Sequence, residues 1–570
     1  MATDKLRDGT RCDLLIIGAG VSGLTTAVVA AKQGLNVIVV EKAPVFGGTA
    51  AFSGGVLWIP GNHVARTAGI ADTREDALTY IKAETGENFN PEIINAFLDT
   101  GPEMAEFFER ETEVKFVATQ YPDYHPDQVG AAQVGRSILA KPYDIRALGA
   151  EMKRLRSPLK AITFIGMMFN SSSPDIRHFF NATKSLTSFI YVTKRLAKHL
   201  KELALYHRGV NVTSGNALMA RLAKSALDLN IPIYTESPVS RLIEDSKRVT
   251  GAVIRTPTGE VRIYATRAVV LASGGFPHDE TRLKQVYPHV HRGGHHLSPT
   301  PVENTGDGVR LAEQKGASLR MDYPNASAWI PVSHVPFGKG EYGVFPHLID
   351  RYKPGMIGVL QNGKRFTNES NSYHDVGQAM IKACADQKDT AMWLICDHRT
   401  IRKYGLGYAK PAPVPLGPMI KRGYLNKGNT LRELAQSAGI DPQGLEATVK
   451  AFNESATRGQ DPEFHRGSTA FNRYLGDAEH QPNPCVGPIL HAPFYALKLV
   501  MGDLGTFDGI RTTLVGEVLD AQDQAIPGLY AVGNDRASIF GGHYIAAGIT
   551  LGPNMTFSYL TAKHLASAQA

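Results

Sequence analysis

Apolar and polar positions alternate along the chain in a strand–helix–strand rhythm. Asp13 to Ile17 (DLLII) is a short continuous apolar run, which predicts a buried strand. After a glycine-rich turn, LTTAVVAAKQG predicts a helix ending at Gly34, and LNVIVV (35–40) predicts a second strand ending at Glu41. Related patterns recur far downstream. VTSGNALMARLAKSA (212–226) predicts a helix, and PIYTESPVSRLI, VTGAVI and RAVVLASGGF (267–276) predict strands. NTGDGVRLAEQKGA (304–317) starts a helix at Gly306-Asp307-Gly308. GLYAVGN (528–534) predicts a strand, and GITLGPNMTFSYLTAKHLA (548–566) predicts a long helix. The class is α/β.

Composition removes several alternatives. The 570 residues are 43% apolar and 20% charged, a globular mix that excludes a disordered scaffold. Cys12, Cys384, Cys396 and Cys485 form no C-x-x-C pair, so neither a disulfide framework nor a metal site is expected. MATDKLRDGT at the start has no apolar run and no stretch reaches membrane-spanning length, so a cytoplasmic protein is expected. The net charge of +7 is unevenly spread: residues 153–201 hold ten Lys/Arg against one acid, Asp175, together with IGMMF, HFF and SFIYV. This basic, aromatic segment is read as a solvated helical excursion near 150–205 that covers a pocket, with peripheral contact with an anionic membrane as the alternative. No nucleic-acid-binding module accompanies it.

The first turn carries the most specific motif. Gly18, Gly20 and Gly23 have G-x-G-x-x-G spacing between a strand and a helix, and Glu41 ends the next strand. That context predicts a dinucleotide site, with the pyrophosphate at the helix N-terminus and Glu41 accepting hydrogen bonds from the ribose. A second glycine-rich loop follows at once: Gly47, Gly48, Thr49, Ser53, Gly54 and Gly55. This pairing resembles the FAD-binding flavoproteins of the fumarate reductase type. The resemblance implies FAD along this loop and, because no histidine precedes His63, non-covalent attachment. Ser273, Gly274, Asp307, Asn534, Gly548 and Leu551 are the further cofactor residues it implies. The expected architecture is a Rossmann-like FAD-binding domain split over 1–295 and 492–570, with an inserted α+β capping catalytic domain at 296–491.

Three tyrosine-bearing segments address the reaction: YPDYHP with Tyr121 and Tyr124, GKRFTNESNSYHD with Tyr373, and GGHYIAAGITLGP with Tyr544 and Gly548. With the FAD loops they resemble the 3-ketosteroid dehydrogenases over nearly the whole chain, and the 153–200 insertion occurs in only some members. The resemblance implies that Tyr544 and the Gly548 N–H bind a substrate ketone. It makes Tyr373 the remover of the α-proton and Tyr124 its hydrogen-bonding support, with Tyr121 as an aromatic wall. Desaturation of a 3-oxosteroid at position 1(2) is the first expectation. The same reaction on a smaller ring ketone of cyclohexanone type, or 4(5)-desaturation of a 5α-3-oxosteroid, is the alternative. A fumarate-reductase-like enzyme shares G-K-R-F-x-N-E but has an arginine where Tyr373 stands. An electron acceptor that the sequence does not identify must regenerate the oxidised cofactor.

Overall fold

The computed structural model describes residues 6–169, 178–179, 181–182 and 185–567. Asp175, Arg177, Phe180 and Lys184 of the basic excursion lie outside the described residues. Four parallel pairings build the main sheet, in the spatial order Ala525–Ala531, Gly259–Leu271, Thr10–Ile17, Val37–Val40 and Ile233–Tyr234. These strands read as nearly uninterrupted Val, Ile, Leu and Ala because helices or loops cover both faces. The N-terminal half of Gly259–Leu271 instead pairs antiparallel with Arg248–Thr256, which pairs with Val239–Asp245.

Register decides where a ligand can sit. Ile17 lies opposite Leu271 and Val40, and Leu271 lies opposite Ala531, so the strands finish together at their C-terminal edge. Just beyond that edge come Gly18, Glu41, Ser273 and Gly533. In open parallel sheets this crevice outside the carboxyl ends is where ligands bind. The helix Val21–Lys32 starts at the same edge.

A second, antiparallel sheet runs in the order Glu341–Pro346, Ser327–Gly338, Phe494–Thr506, Ala391–Asp397 and Met356–Val359. Its central strand, Phe494–Thr506, lies past the expected return at residue 492. The chain rejoins the parallel sheet only with Glu517–Leu519 and Ala525–Ala531. Phe494–Thr506 is buried along most of its length, which suits either sheet, and its pairings, Trp393 with Lys498 and Cys396 with Tyr495, assign it to this one. The helix Tyr373–Ala383 packs on the strand Ser327–Gly338 and carries Tyr373 at its first position.

The excursion folds as short helical turns at Ile145–Arg154 and Lys160–Ile162, then the helix Leu186–Tyr206. No described helix is long and apolar enough to cross a membrane.

Candidate active site

One cavity of about 1020 Å³ runs from the C-terminal edge of the parallel sheet to the second sheet. Gly18, Gly20, Glu41, Gly48, Thr49, Ser53, Gly54, Gly55, Ser273, Gly274, Asp307, Asn534 and Leu551 line it, as do Tyr124, Tyr373, Tyr544 and Gly548. Gly23 and Gly47 stand behind this surface. A Cβ on Gly23 would lie 1.9 Å from the Gly18 carbonyl oxygen, so only glycine lets the helix sit this close to the turn. A Cβ on Gly20 would meet nothing within 4 Å, leaving open space at the helix N-terminus. That opening suits the approach of a pyrophosphate to backbone N–H groups.

Glu41 is held by its neighbours: its carboxylate accepts from the Ala19 N–H at 2.9 Å and the Ala43 N–H at 2.8 Å. Burial pushes its pKa up, and these two N–H groups oppose the shift. Each oxygen keeps a lone pair for a further donor, such as a ribose hydroxyl. In the second loop, the Ser53 hydroxyl donates to the Ala50 carbonyl at 2.8 Å and accepts from the Gly55 N–H at 3.0 Å. Thr49 accepts from Asn304 Nδ2 at 2.9 Å. Asp307 is paired with Lys42 and Arg310. Asn534 accepts from Asn554 Nδ2 at 2.8 Å, which ties the turn after Ala525–Ala531 to the helix Leu551–Ser567. That helix begins at Leu551, three residues after Gly548, whose φ of +98° marks the turn before it.

Two residues unnoticed in the sequence complete this end. Asp535 is fully buried and accepts from the Ser273 hydroxyl and the Gly275 N–H, both at 2.9 Å. It thereby welds the ends of two parallel strands. Asn304 bridges the second glycine loop to the segment before Asp307. Their only sequence signal is position: each adjoins a glycine turn already assigned to the cofactor.

The tyrosines converge at the other end. Tyr124 stacks on Tyr544 with ring centroids 5.6 Å apart, and Tyr373 meets Tyr544 at 5.2 Å and Tyr124 at 5.9 Å, both edge-on. Tyr121 also lines the cavity but packs on Tyr474 at 4.8 Å, outside this triangle. The Tyr544 loop is pinned from three sides. Ile545 accepts from the Tyr124 N–H at 3.0 Å, Ala547 from the Ser137 hydroxyl at 2.8 Å, and Gly548 from the Trp58 N–H at 3.1 Å. A buried Arg136, held by Asp72 and Asp123, fixes the segment that leads into Tyr124.

Burial holds all three phenols above their usual range. Tyr373 is pushed well above it by burial first and then by Tyr124 and Tyr544. Burial raises Tyr544 too, with the Tyr373 hydroxyl drawing it partly back. Such a cluster can bind a carbonyl oxygen and relay a proton in a water-poor space. His374 is buried and accepts from the Trp329 N–H at 3.1 Å, which makes it a structural residue.

The FAD binding domain family matches residues 13–551. The chain is 43% identical over 568 residues, 99% of its length and 95% of the relative's, to a 4-oxocyclohex-2-ene-1-carboxylate 5-dehydrogenase of Sinomonas cyclohexanicum. It is 34% identical to a 3-oxosteroid 1-dehydrogenase of Mycolicibacterium smegmatis, covering 99% of this chain and 98% of the relative. The solved 3-ketosteroid Δ1-dehydrogenase of Sterolibacterium denitrificans, in complex with 1,4-androstadiene-3,17-dione, superposes with a TM-score of 0.88 at 33% identity, covering 98% of this chain and 100% of that one. The chain belongs to the FAD-binding flavoprotein family that includes the 3-oxosteroid 1-dehydrogenases. It is an FAD-dependent oxidoreductase acting on CH–CH groups.

Proposed function

We propose that the chain desaturates a six-membered ring ketone between its α- and β-carbons, and that the substrate is a monocyclic oxo acid. The triangle of Tyr124, Tyr373 and Tyr544 beside Gly548 carries the reaction; the higher identity to the cyclohexene-carboxylate dehydrogenase, 43% against 34%, carries the substrate. The Tyr544 hydroxyl and the Gly548 N–H donate to the ketone oxygen and stabilise the negative charge that grows there. Tyr373 as its phenolate takes the α-proton and becomes a phenol, and Tyr124 supports the phenolate before the transfer by hydrogen bonding. FAD, when bound, supplies the acceptor for the hydride leaving the β-carbon. An electron acceptor outside this chain then reoxidises it.

A 3-oxosteroid desaturated at position 1(2) is the second reading, favoured by the fit to the steroid-bound relative. The helix Leu186–Tyr206 bears on that choice. It exposes Leu186, Ile190, Leu200 and Leu205 beside exposed Lys194, Lys198 and Lys201, an arrangement suited to peripheral contact with an anionic membrane that would hold an apolar substrate. Anaerobic mixing of the holoenzyme with 4-oxocyclohexanecarboxylate, cyclohexanone, a 4-ene-3-oxosteroid and a 5α-3-oxosteroid separates the readings. Bleaching of the oxidised flavin band by the oxo acid is expected. Bleaching by steroids alone selects the second reading, and by none of the four discards both.

A further inference from the structure

We propose that Lys410 recognises a carboxylate on the ring-ketone substrate, a proposal that rests on the monocyclic oxo-acid reading above. Among the described residues, four cationic side chains line the cavity, and three are already engaged. Lys42 pairs with Asp307, Arg156 with Glu303 at 3.2 Å, and Lys353 donates to the Leu475 and Gly476 carbonyls at 2.8 Å each. Lys410 has no hydrogen-bond acceptor and no carboxylate within ion-pair distance among the described residues. Its ammonium lies beside two aromatic rings, 5.1 Å from the centroid of Tyr408 and 5.9 Å from that of Phe345. The residue is half-buried, and the ring contacts make up only part of the water its ammonium has lost.

Its segment is linked to the tyrosine cluster through packed side chains. Asp350 accepts from the Gly407 N–H at 3.0 Å, which holds the Lys410 segment against the turn Asp350–Tyr352. Tyr352 packs on Phe471 at 5.9 Å, and Phe471 packs on Tyr124 at 4.6 Å. Asp350 is itself saturated, by His347 at 2.7 Å and the Arg351 N–H at 3.1 Å besides Gly407. Burial lowers the Lys410 pKa to about 8, with Asp350 opposing, so an arriving anion would restore the charge that the empty wall disfavours. A neutral steroid offers Lys410 no such partner.

Two readouts on the holoenzyme test this: turnover of 4-oxocyclohexanecarboxylate against its methyl ester, and calorimetric binding of 4-hydroxybenzoate against methyl 4-hydroxybenzoate, neither of which can be desaturated. Lys410→Met should raise the KM of the oxo acid about tenfold or more, with kcat little changed and the ester unaffected, as loss of uniform binding requires. It should also erase the preference for 4-hydroxybenzoate, while Lys410→Arg keeps most of it. An acid and an ester equally affected, or an anion preference that survives in Lys410→Met, overturns the assignment. Wild-type turnover confined to steroids sinks the oxo-acid reading instead. The calorimetry decides Lys410 independently: an anion preference that Lys410→Met removes supports it, and no preference in the wild type refutes it.

Discussion

His125 grips Asp375 beside the tyrosine cluster, Nε2 to Oδ2 at 3.1 Å, while its Nδ1 lies 2.6 Å from Glu84 Oε2. One imidazolium thus joins the segment of Tyr124 to the helix whose first residue is Tyr373. Burial disfavours the charged ring, but hydrogen bonds to Asp375 and Glu84 outweigh it and push the pKa up from 6.5 to about 10. A raised folded-state pKa stabilises fully below the unfolded value and loses that contribution as pH climbs through the folded one. His125→Gln should therefore melt below wild type at about pH 6 to 7, and the gap should close as pH passes about 10. Thermal melts across that range check it; a gap independent of pH would refute the ionic clamp.

Removing one phenol oxygen separates chemistry from binding. Tyr373→Phe and Tyr544→Phe should each slow flavin reduction about a hundredfold to a thousandfold, because a general base or an oxyanion donor is worth that much. FAD should remain bound, since neither hydroxyl supports the glycine loops. Stopped-flow reduction under argon measures the rate, and the absorbance ratio of flavin to protein measures retention. Wild-type rates in both variants would remove the tyrosines from the mechanism.

The pH dependence follows from the direction of the tyrosine shifts. A base must be deprotonated to act, and burial holds Tyr373 well above the usual phenol value. The rate of flavin reduction should thus rise steadily from about pH 7 to about pH 10 without a plateau. Tyr544 must stay protonated to donate, and burial raises it too, so the falling limb is displaced to higher pH as well. A plateau near neutrality would assign the base to a group other than Tyr373.

The two ends of the site were unequally legible in the sequence. Gly18 to Glu41 is a local pattern: one turn and one acid encode it, and the structure brings these residues to one sheet edge. The tyrosines stand hundreds of residues apart, so spacing within the chain says nothing about their meeting; likeness to a family singled them out. Asp535 and Lys410 escaped notice for a physical reason. Each matters through a partner distant in sequence, or through having none, and neither condition leaves a periodic trace. The strand Phe494–Thr506 pairs with Ser327–Gly338 and Ala391–Asp397, and nothing in its own residues specifies those distant partners.

The GKRFTNE segment is a brace. Arg365 is fully buried between Glu369 at 2.7 Å and Asp461 at 2.8 Å, and Arg466 closes the network on Glu369 at 3.4 Å. Removing one member of a buried ionic network leaves the others uncompensated, at a cost of about 3–5 kcal/mol. Arg365→Leu should lower the urea midpoint accordingly, with flavin reduction unchanged per folded molecule. A loss of activity at unaltered stability would instead move Arg365 into the site.

Gly20 and Gly23 belong to one motif yet should fail differently when a methyl group is added. At Gly23 the new Cβ would lie 1.9 Å from the Gly18 carbonyl oxygen and 3.3 Å from Ile16, so the helix Val21–Lys32 must retreat from the strand Thr10–Ile17. Gly23→Ala should reduce stability even in the apoprotein, because overpacking at a backbone contact has no side chain to yield. At Gly20 the same methyl meets no protein atom within 4 Å and projects into the cavity at the helix N-terminus. Gly20→Ala should leave the apoprotein melt unchanged and weaken FAD retention, since the intruding carbon occupies the space that a pyrophosphate would need. Melting of apo and reconstituted protein, with fluorimetric titration of FAD, distinguishes the two. If Gly20→Ala bound FAD like wild type, the phosphate cradle would have to lie elsewhere along the cavity.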